Sequence, residues 1–257
     1  MNETNNWWRG FYDDLLEEVL LTRTSEAETE ATLDFIIRHL EVRPEARVFD
    51  QCCGIGSLAL PLARRGFAVH GVDQATPYIE KAAALARQGN LSASFVEADA
   101  FEYVPEPCDG AFNWWTSFGY ADDDRTNLCM LRRAHAALVA GGRFILDTMN
   151  APGILRHFER DIVTERETSR GRVTLHRRSA LDLEKGRVLK TWRYFLPRGE
   201  KVVHQTSVRL YLPSTLREML LEAGFETVAL FGDLNDSPLD IDHLRCICVA
   251  TKSAGPT

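Results

Sequence analysis

The chain has 257 residues, of which 45% are hydrophobic, and a formal net charge of −7. This length suffices for one full core, or for a core with an inserted segment. No apolar run approaches the ~18 residues that a membrane span needs, and the polar residues 1–6 lack the apolar stretch of a signal peptide. A net negative charge disfavours a nucleic-acid partner, which calls for a basic face. We therefore expect a cytoplasmic protein with no membrane and no nucleic acid as its partner.

The N-terminal region is predicted to be helical and is rich in aromatic residues. Residues 13–21 carry apolar side chains at helical spacing, and Thr24, Ser25 and Glu26 can cap a second helix that runs to Leu40. Ahead of both helices stand Trp7, Trp8, Phe11 and Tyr12. One short segment does not easily bury so much aromatic surface. Two interpretations stay open: a helix docked on the core by its aromatic residues, or a lid over a functional site.

A short apolar strand, a glycine loop and a helix follow one another at residues 48–65. The strand ends in Asp50, the loop contains Gly54 and Gly56, and residues 58–65 have a helical pattern. Glycine permits positive φ and has no Cβ, so that backbone can lie directly against a ligand. A second strand, residues 69–73, ends in Asp73, which can accept hydrogen bonds from both hydroxyls of a ribose. The sequence therefore predicts a nucleoside-cofactor site at the carboxyl edge of a parallel sheet.

The glycine loop formally fits two kinds of cofactor. Its spacing Gly-x-Gly-x-x-Ala matches the dinucleotide fingerprint, in which alanine can replace the third glycine. However, three residues intervene between Asp50 and Gly54, and an acid at a strand end is a poor neighbour for a pyrophosphate. The same acid suits S-adenosylmethionine (SAM), which carries an ammonium group, a sulfonium and no phosphate. Asp99 follows a third strand and can accept from an adenine amino group, which favours SAM.

With three acids in register after three strands, the chain resembles the class I SAM-dependent methyltransferases. The resemblance covers residues 50–150 well and residues 212–252 more loosely. It implies that Asp50 and the glycines hold the methionine part of SAM, Asp73 the ribose and Asp99 the adenine. The predicted cofactor-binding residues are Asp50, Gln51, Cys52, Gly54, Gly56, Asp73, Gln74, Asp99, Ala100, Asn113, Trp114 and Trp115. Related methyltransferases also place an N-terminal helix or arm over the site, so the resemblance favours the lid.

The next elements complete the predicted core. Residues 77–88 are expected to form a helix, 109–115 the fourth strand, 126–139 a helix, and 143–147 the fifth strand after a turn at Gly141 and Gly142. The run Ala-Gly-Gly-Arg-Phe-Ile-Leu-Asp resembles the family's usual approach to the fifth strand. The run Asn-Trp-Trp-Thr-Ser-Phe-Gly-Tyr resembles the motif that follows the fourth strand in its small-molecule members.

Two adjacent tryptophans stand at the end of the fourth strand. A sulfonium is a poorly hydrated cation, and an aromatic face attracts a cation with about 0.5–2 kcal/mol. Successive strand residues face opposite ways, so one indole should face the cofactor and the other the packing. We favour Trp114 as the cofactor contact and Trp115 as the packing residue.

From residue 156 the pattern changes to alternating apolar and polar residues. Four segments with this pattern are separated by short turn signals, which indicates three to four antiparallel strands. These segments are residues 162–168, 172–182, 188–196 and 202–210. A helix at 216–223, a strand at 225–231 and a last strand at 244–251, antiparallel in the family, follow.

We therefore predict an α/β fold with a doubly wound, mostly parallel seven-stranded sheet and a small antiparallel β insertion. The expected organisation is an N-terminal helical lid at residues 1–45 and a SAM-binding core at 46–155 and 211–257. Residues 156–210 form the insertion, which covers the site.

Methyl transfer from a sulfonium has no obligatory catalytic motif, because the enzyme mainly holds the nucleophile, methyl carbon and leaving sulfur in line. A base is needed only when the nucleophile must lose a proton. Candidate catalytic residues are Asn150, Tyr194, His176 and His204, and candidate substrate-binding residues are Trp8, Tyr12, Tyr120 and Asn150. The arginines at 166, 177, 178 and 193 make the insertion basic. They form either a solvated sheet face or a site for a carboxylate-bearing substrate.

The cysteine pattern gives no sign of a metal site or a disulfide framework. The six cysteines are Cys52, Cys53, Cys108, Cys129, Cys246 and Cys248, and they include no Cys-x-x-Cys pair. Cys246 and Cys248 share one face of the last predicted strand, so we expect them to be buried in a reducing compartment. Cys52 and Cys53 depart from the family pattern, and cysteine packs there as a small apolar residue.

The predicted function is methyl transfer from SAM to a small molecule of specialised metabolism. A first alternative keeps SAM but encloses it in the aromatic residues, so that its own amino group attacks the γ-carbon. Such a cyclase would release methylthioadenosine and an azetidine amino acid, as relatives on this fold do. A NAD(P)-dependent oxidoreductase is a second alternative, and a non-enzymatic SAM-binding module has no feature in its favour. The acceptor stays open, as does the choice between monomer and homodimer.

Overall fold

The computed structural model describes residues 6–21 and 25–255. The helices are α1 Trp8–Phe11, α2 Asp14–Leu16, α3 Glu26–Leu40, α4 Ala59–Arg64, α5 Thr76–Gln88, α6 Asp124–Ala137, α7 Ala151–Arg156 and α8 Pro213–Glu222. The strands are β1 Arg47–Gln51, β2 Ala68–Asp73, β3 Ala93–Glu97, β4 Cys108–Asn113, β5 Leu138–Met149, β6 Asp161–Thr168, β7 Gly171–Asp182, β8 Arg187–Phe195, β9 Lys201–Arg209, β10 Thr227–Phe231 and β11 Arg245–Thr251. Within the described residues, no helix has the length and apolar character to cross a membrane.

The larger sheet has the strand order β10-β11-β5-β4-β1-β2-β3 in the described chain. The pairs from β3 to β5 are parallel, whereas β11 runs antiparallel to both β5 and β10. The predicted doubly wound, mostly parallel sheet with an antiparallel last strand is therefore confirmed. The chain moves outward from β1 to β3 and then returns to β4 on the other side of β1. Ligands bind at the carboxyl ends of strands at such a reversal of order.

Both faces of this sheet are buried, because successive side chains of its central strands enter different cores. In β1, Val48 packs with Phe35 and other residues of α3, whereas Phe49 faces the cluster formed with α6 and α8. Cys246 and Cys248 of β11 are fully buried in that second cluster, as their alternation predicted. Helices on both faces leave the strand ends as the place where a ligand can reach the sheet.

The beginning of β5 differs from the prediction. α6 ends at Ala137 and β5 already begins at Leu138, so that Gly141 and Gly142 lie within the strand instead of forming a separate turn. Gly141 has a φ of 78°, and the pairing with β4 shifts register close to this point. Gly141 therefore leaves the extended conformation and kinks β5, while the strand continues on both sides of it.

Some helix ends also differ from the prediction. The helix expected at residues 13–21 is divided: Asp13 caps α2 by accepting a backbone hydrogen bond of 2.9 Å, and Glu17–Leu21 then form a π-helical turn. The side chain of Ser25 caps α3 as predicted, whereas Thr24 lies outside the described residues. α8 begins earlier than predicted, at Pro213, because proline is favoured at the first helical position.

Strands β6 to β9 form a separate antiparallel sheet in sequential order, here called the insertion sheet. The four predicted hairpin-linked strands are thus confirmed. The buried guanidinium of Arg187 joins this sheet to the loop after β4, because it donates to the carbonyls of Tyr120 and Ala121, both at 3.0 Å. It also donates to Oγ of Ser207 at 2.7 Å. These bonds fix the position of the insertion sheet relative to the larger sheet.

Residues 6–21, here called the N-terminal segment, cover the inner face of the insertion sheet. The apolar contact joins Phe11, Leu15, Leu16 and Val19 to Val173, Leu175, Trp192 and Tyr194. Nε1 of Trp7 donates to the carbonyl of Ser207 at 3.1 Å, and Nε2 of His204 lies 2.9 Å from a carboxylate oxygen of Asp13. The N-terminal segment therefore lies between the insertion sheet and the strand ends of the larger sheet.

We expect Gly71→Ala to lower the free energy of unfolding by about 1–3 kcal/mol, because added atoms force shifts in a packed core. A Cβ at Gly71 would lie 2.7 Å from the Phe95 ring and 2.8 Å from Sγ of Cys53. Gly10→Ala is the control, since a Cβ there meets nothing within 4 Å. Urea unfolding followed by circular dichroism measures both variants. Equal stability of the two variants would contradict the close packing at Gly71.

Candidate active site

The carboxyl ends of β1, β2 and β4 open into a cavity of about 440 Å³. The loops that follow these strands form one wall, and the N-terminal segment and the insertion sheet form the other. The predicted cofactor residues that line it are Cys52, Gly54, Asp73, Gln74, Asp99, Ala100, Trp114 and Trp115. Trp8, Tyr12 and Tyr120, predicted to bind substrate, line it as well. The strand-end acids and the N-terminal aromatic residues thus face the same space.

The carboxylate of Asp73 is fixed by backbone donors at the end of β2. One oxygen accepts from the N–H of Gly54 at 2.9 Å, and the other from the N–H of Ala75 at 3.0 Å. Burial raises the pKa of Asp73, although these donors act in the opposite direction. Since each carboxylate oxygen has a second acceptor site, both can still accept from a ribose hydroxyl. At the end of β3, Asp99 is held in a similar way by the N–H of Phe101 at 2.9 Å.

The glycine loop has left-handed backbone at three positions. Gly54 and Gly56 have φ values of 54° and 76°, and Cys52 has 67°. A Cβ on Gly54 would meet no atom within 4 Å, so this glycine borders open space that a ligand can approach closely. A Cβ on Gly56, which does not line the cavity, would lie 3.2 Å from Leu60 and Phe95. Cys52 is strained, because residues other than glycine rarely adopt this conformation.

Asp50 is a buried acid directly behind the cavity wall. Its side chain is only 3% exposed, and it does not line the cavity itself. Burial and the nearby charge of Asp73 raise the pKa of Asp50 well above its usual value, and no described hydrogen bond or cation offsets this rise. A buried carboxylate without a partner is unfavourable by itself and favourable beside an ammonium group. The site therefore fits a cofactor that brings a positive charge, as SAM does.

Gln51 and Asn113 lie fully buried beneath the cavity and bind each other. Nδ2 of Asn113 donates to Oε1 of Gln51 at 3.3 Å, and Nε2 of Gln51 donates to the carbonyl of Met130 at 3.1 Å. Nδ2 of Asn113 also lies 3.7 Å from Sγ of Cys52. The structure thus places these two predicted cofactor residues where they connect β1, β4 and α6 beneath the glycine loop.

The two tryptophans after β4 have different surroundings. Trp114 is buried, and its ring lies 5.0 Å from the guanidinium carbon of Arg245. β4 ends before Trp115, not at it, because Trp115 and Thr116 have φ values of 63° and 58°. The N–H of Trp115 donates to Asp147 at 2.9 Å, and the same carboxylate accepts from Nε of Arg245 at 2.7 Å. Asp147 therefore holds the strained turn that brings both indoles to the cavity.

Tyr12 and Tyr120 connect the N-terminal segment to the loop after β4. Their hydroxyl oxygens are 2.6 Å apart, and the Trp7 ring lies 4.6 Å from the Tyr120 ring. Burial is the largest cause that raises the pKa of each phenol, so both hydroxyls stay protonated near neutral pH. The centre of the Trp8 ring lies 6.1 Å from that of Tyr120 and 6.2 Å from that of Phe101. This aromatic cluster closes the cavity above the strand ends.

Asn150 does not line the cavity, although it follows β5 directly. Its side-chain N–H groups donate to the carbonyls of Asp240 and His243, both at 2.8 Å. The residue is 1% exposed, so these bonds hold the loop before β11 in place. Asn150 therefore stabilises this loop and does not reach the cavity.

The other three predicted catalytic residues also lie outside the cavity lining. Tyr194 is fully buried against the N-terminal segment, and no described residue binds its hydroxyl. His176 lies on the outer face of the insertion sheet, 2.8 Å from Asp161. His204 lies on the inner face, 2.9 Å from Asp13. The two histidines thus have carboxylate partners, and none of the three reaches the cofactor edge.

Several cavity residues were not predicted from the sequence. Lys190, Trp192 and Thr206 line the cavity from the insertion sheet. Lys190, Trp192 and Tyr194 are spaced two residues apart along β8 and therefore share one face of the strand. This spacing is a signal in the sequence from which Lys190 and Trp192 can be found. Asp147 was also missed as a site residue, although it ends the fifth predicted strand just as Asp50 ends the first.

Comparison with known proteins agrees with this arrangement. Residues 48–142 match a family model described as a methyltransferase domain. The 23S rRNA (uracil(1939)-C(5))-methyltransferase RlmD of Polynucleobacter necessarius is 37% identical over 98 residues, 36% of this chain and 21% of that protein. The chain thus spans only about a fifth of that curated relative's length.

Solved structures match nearly the whole chain. The CcbJ methyltransferase of Streptomyces caelestis has a TM-score of 0.78 at 20% identity, with 95% of this chain and 98% of that chain covered. CalS10 of Micromonospora echinaspora, an amino pentose methyltransferase involved in calicheamicin biosynthesis, has a TM-score of 0.66 at 19% identity. That match covers 91% of this chain and 93% of that chain. At these identities the likeness concerns the fold.

Family model, fold and strand-end acids agree. Residues 48–142 thus match a methyltransferase domain, and nearly the whole chain has the fold of solved methyltransferases. Its cofactor is SAM, as the three acids in register and the glycine loop predicted.

We expect Asp73→Asn to weaken binding of S-adenosylhomocysteine (SAH) at least about tenfold, because the amide has one acceptor oxygen where the carboxylate has two charged ones. Asp109→Asn is the matched control. Asp109 also accepts from a backbone N–H, that of Arg47 at 2.8 Å, but at the opposite edge of the sheet. Calorimetry measures both affinities. Equal weakening by the two substitutions would contradict a specific contact of Asp73 with the cofactor.

Asp50→Asn should have opposite effects on stability and on binding. Because burial raises the pKa of Asp50 in the folded state, the native protein loses stability as pH rises from the ordinary aspartate pKa through the raised one. The neutral amide avoids this loss, so the variant should be more stable than the wild type at neutral pH and equally stable at low pH. Binding of SAH should weaken about tenfold, because its ammonium group loses a nearby anion. Urea unfolding across pH and calorimetry test the two effects, and a variant that is less stable at neutral pH would refute this account.

Proposed function

We propose that the protein transfers a methyl group from SAM to a small-molecule acceptor in the cavity. The observation that carries this proposal is the extent of the cavity. It begins at Gly54, Asp73 and Asp99, which bind the cofactor, and continues to Lys190 and Thr206 on the insertion sheet. The end of the cavity at Lys190 and Thr206 lies beyond the strand-end loops. This extent supports the presence of space for an acceptor beside the cofactor.

When bound, SAM supplies an activated methyl group on a positively charged sulfur. The residues of this chain then have three tasks. Asp73 and Asp99 orient the nucleoside, and the charge of Asp50 favours the amino-acid end. Trp114 and Trp115 supply aromatic faces beside the strand ends, which attract cations. The N-terminal segment excludes water and aligns the acceptor, which contributes more to an in-line displacement than a base does.

The phenols at the cavity are donors and not bases in this proposal. Their raised pKa values keep Tyr12 and Tyr120 protonated. In the bond between them one hydroxyl donates, and the hydroxyl that accepts keeps its own hydrogen free to donate to the substrate. An acceptor that must lose a proton therefore requires another group.

A small acceptor is favoured over RNA, although the curated relatives are rRNA methyltransferases. Those matches cover only part of this chain and a smaller part of the first relative, 36% and 21% for the first of them. The net charge of −7 is unlike that of a nucleic-acid-binding protein, and the cavity is covered by the N-terminal segment. The fold match to CalS10, described as part of calicheamicin biosynthesis, supports a role in specialised metabolism.

Incubation with SAM alone, followed by mass spectrometry, separates methyl transfer from self-cyclisation. We expect calorimetric binding of both SAM and SAH, and intact SAM after incubation without an acceptor. Methylthioadenosine formed from SAM alone would establish the cyclase reaction and refute methyl transfer. SAH formed only when a small-molecule metabolite fraction is added would support the proposal, whereas formation with purified rRNA and not with that fraction would contradict it.

A further inference from the structure

We propose that the acceptor carries a carboxylate, which binds to Lys190 on the inner face of the insertion sheet. This inference rests on the proposed function, because it concerns the acceptor in the same cavity. The geometry behind it is a group of hydrogen-bond donors around one indole ring, here called the donor cluster. Its members are Arg177, Lys190, Trp192 and Thr206.

Lys190 lies in the middle of the insertion sheet and faces the cavity. It is directly opposite Thr206 in the pairing of β8 with β9, and both residues line the cavity. Nζ of Lys190 lies 5.9 Å from the centre of the Trp192 ring. An aromatic face holds a cation in place without neutralising its charge. The ammonium group is therefore positioned at the cavity and keeps its capacity to donate.

Apart from the indole N–H of Trp192, each member of the donor cluster keeps a donor that no described residue accepts. Nε1 of Trp192 donates to Oγ1 of Thr206 at 3.0 Å, so the Thr206 oxygen already accepts one bond. No described residue accepts the hydroxyl hydrogen of Thr206, which can therefore donate to a ligand. No described carboxylate pairs with Lys190 either, and the charged neighbour that acts on it is a second cation, Arg177.

Charge in the donor cluster points to an anion. The guanidinium carbon of Arg177 lies 5.5 Å from the centre of the same Trp192 ring, and its buried Nε has no partner among the described residues. Burial, followed by the charge of Arg177, lowers the pKa of Lys190 to about 8. The carboxylate of Glu159 acts on Arg177, whereas no described carboxylate acts on Lys190, so a bound anion would stabilise the Lys190 ammonium group beside this second cation.

The surroundings indicate which kind of anion this is. Apart from Lys190 and Thr206, the insertion sheet lines the cavity with Trp192 and Val208, and the lining also includes the apolar side chains of Ile154 and Leu244. Among the described residues, Lys190 is the only lysine whose ammonium group reaches the cavity. A single carboxylate on an apolar or aromatic skeleton matches this arrangement, because it brings one negative charge and two acceptor oxygens.

Two probes that differ in charge test the inference. Indole-3-acetate and indole-3-acetamide share one ring system, and each is titrated by calorimetry into the full chain saturated with SAH. We expect the carboxylate to bind at least about tenfold more tightly than the amide, as for a hydrogen bond to a charged group. Lys190→Met and Lys190→Gln should abolish the preference, whereas Lys190→Arg should keep it.

Lys201→Met is the matched control for Lys190→Met. Lys201 also lies in the insertion sheet, with Nζ 5.8 Å from an aromatic ring, that of Phe195, but it is outside the cavity lining. Its substitution should leave the preference unchanged. Equal binding of the two probes by the wild type, binding of neither, or a preference that survives in both neutral Lys190 variants would overturn the inference. Loss of the preference in Lys190→Arg would also overturn the inference, because the positive charge at residue 190 would then not be what selects the carboxylate.

The SAH titration that precedes each probe separates this inference from the proposed function. A wild-type chain that does not bind SAH refutes the methyltransferase proposal, and the inference with it. A chain that binds SAH and does not distinguish the probes refutes only the carboxylate. Normal SAH binding by Lys190→Met or Lys190→Gln shows that the variant is folded.

Discussion

The architecture depends on one requirement, which is that the inner face of the insertion sheet must be covered. This face presents Val173, Leu175, Trp192 and Tyr194, and the N-terminal segment covers it with apolar and aromatic side chains. Because the N-terminal segment lies between this face and the strand ends, the same packing that stabilises the insertion sheet also closes the cavity. Arg187 then fixes the distance between the two sheets through the loop after β4. Enclosure is thus a result of core formation as well as of ligand binding.

Whereas the packing of the insertion sheet stabilises the fold, the acids at the carboxyl edge of the larger sheet destabilise it. Asp50 and Asp147 are buried and Asp73 is half-buried, and desolvation is the main cause that raises the pKa of each carboxyl. Asp147 is compensated by Arg245 and by the N–H of Trp115, and Asp73 by two backbone donors. Asp50 has no such compensation. The charge of Asp50 is therefore unfavourable by itself, and a positively charged cofactor relieves the conflict. Functional sites commonly combine such local strain with stability elsewhere.

The sequence predicted the fold and most of the strand-end residues that line the cavity, but only part of the opposite wall. Asp73 and Asp99 were found because strand-end acids depend on local pattern and on the parallel order of β1, β2 and β3. Asn150, Tyr194, His176 and His204 were named by residue type, and their positions depend on tertiary contacts that local pattern does not contain. Lys190 was missed because its role depends on which face of β8 the N-terminal segment leaves open. The turn at Trp115 was missed because a carboxylate 32 residues later in the chain stabilises it.

The pairing of the N-terminal segment with the insertion sheet has a consequence for synthesis of the chain. Trp7 and its partner Ser207 are 200 residues apart, and Asp13 and His204 are 191 apart. A ribosome adds about 5–20 residues per second, so the aromatic start of the chain waits at least roughly 10 seconds for the strands that bury it. During that interval the parallel strands of the larger sheet can assemble, while the N-terminal tryptophans remain exposed to other chains. Closure of the cavity is thus a late step of folding, and exposed aromatic surface in the nascent chain is a natural target for chaperones.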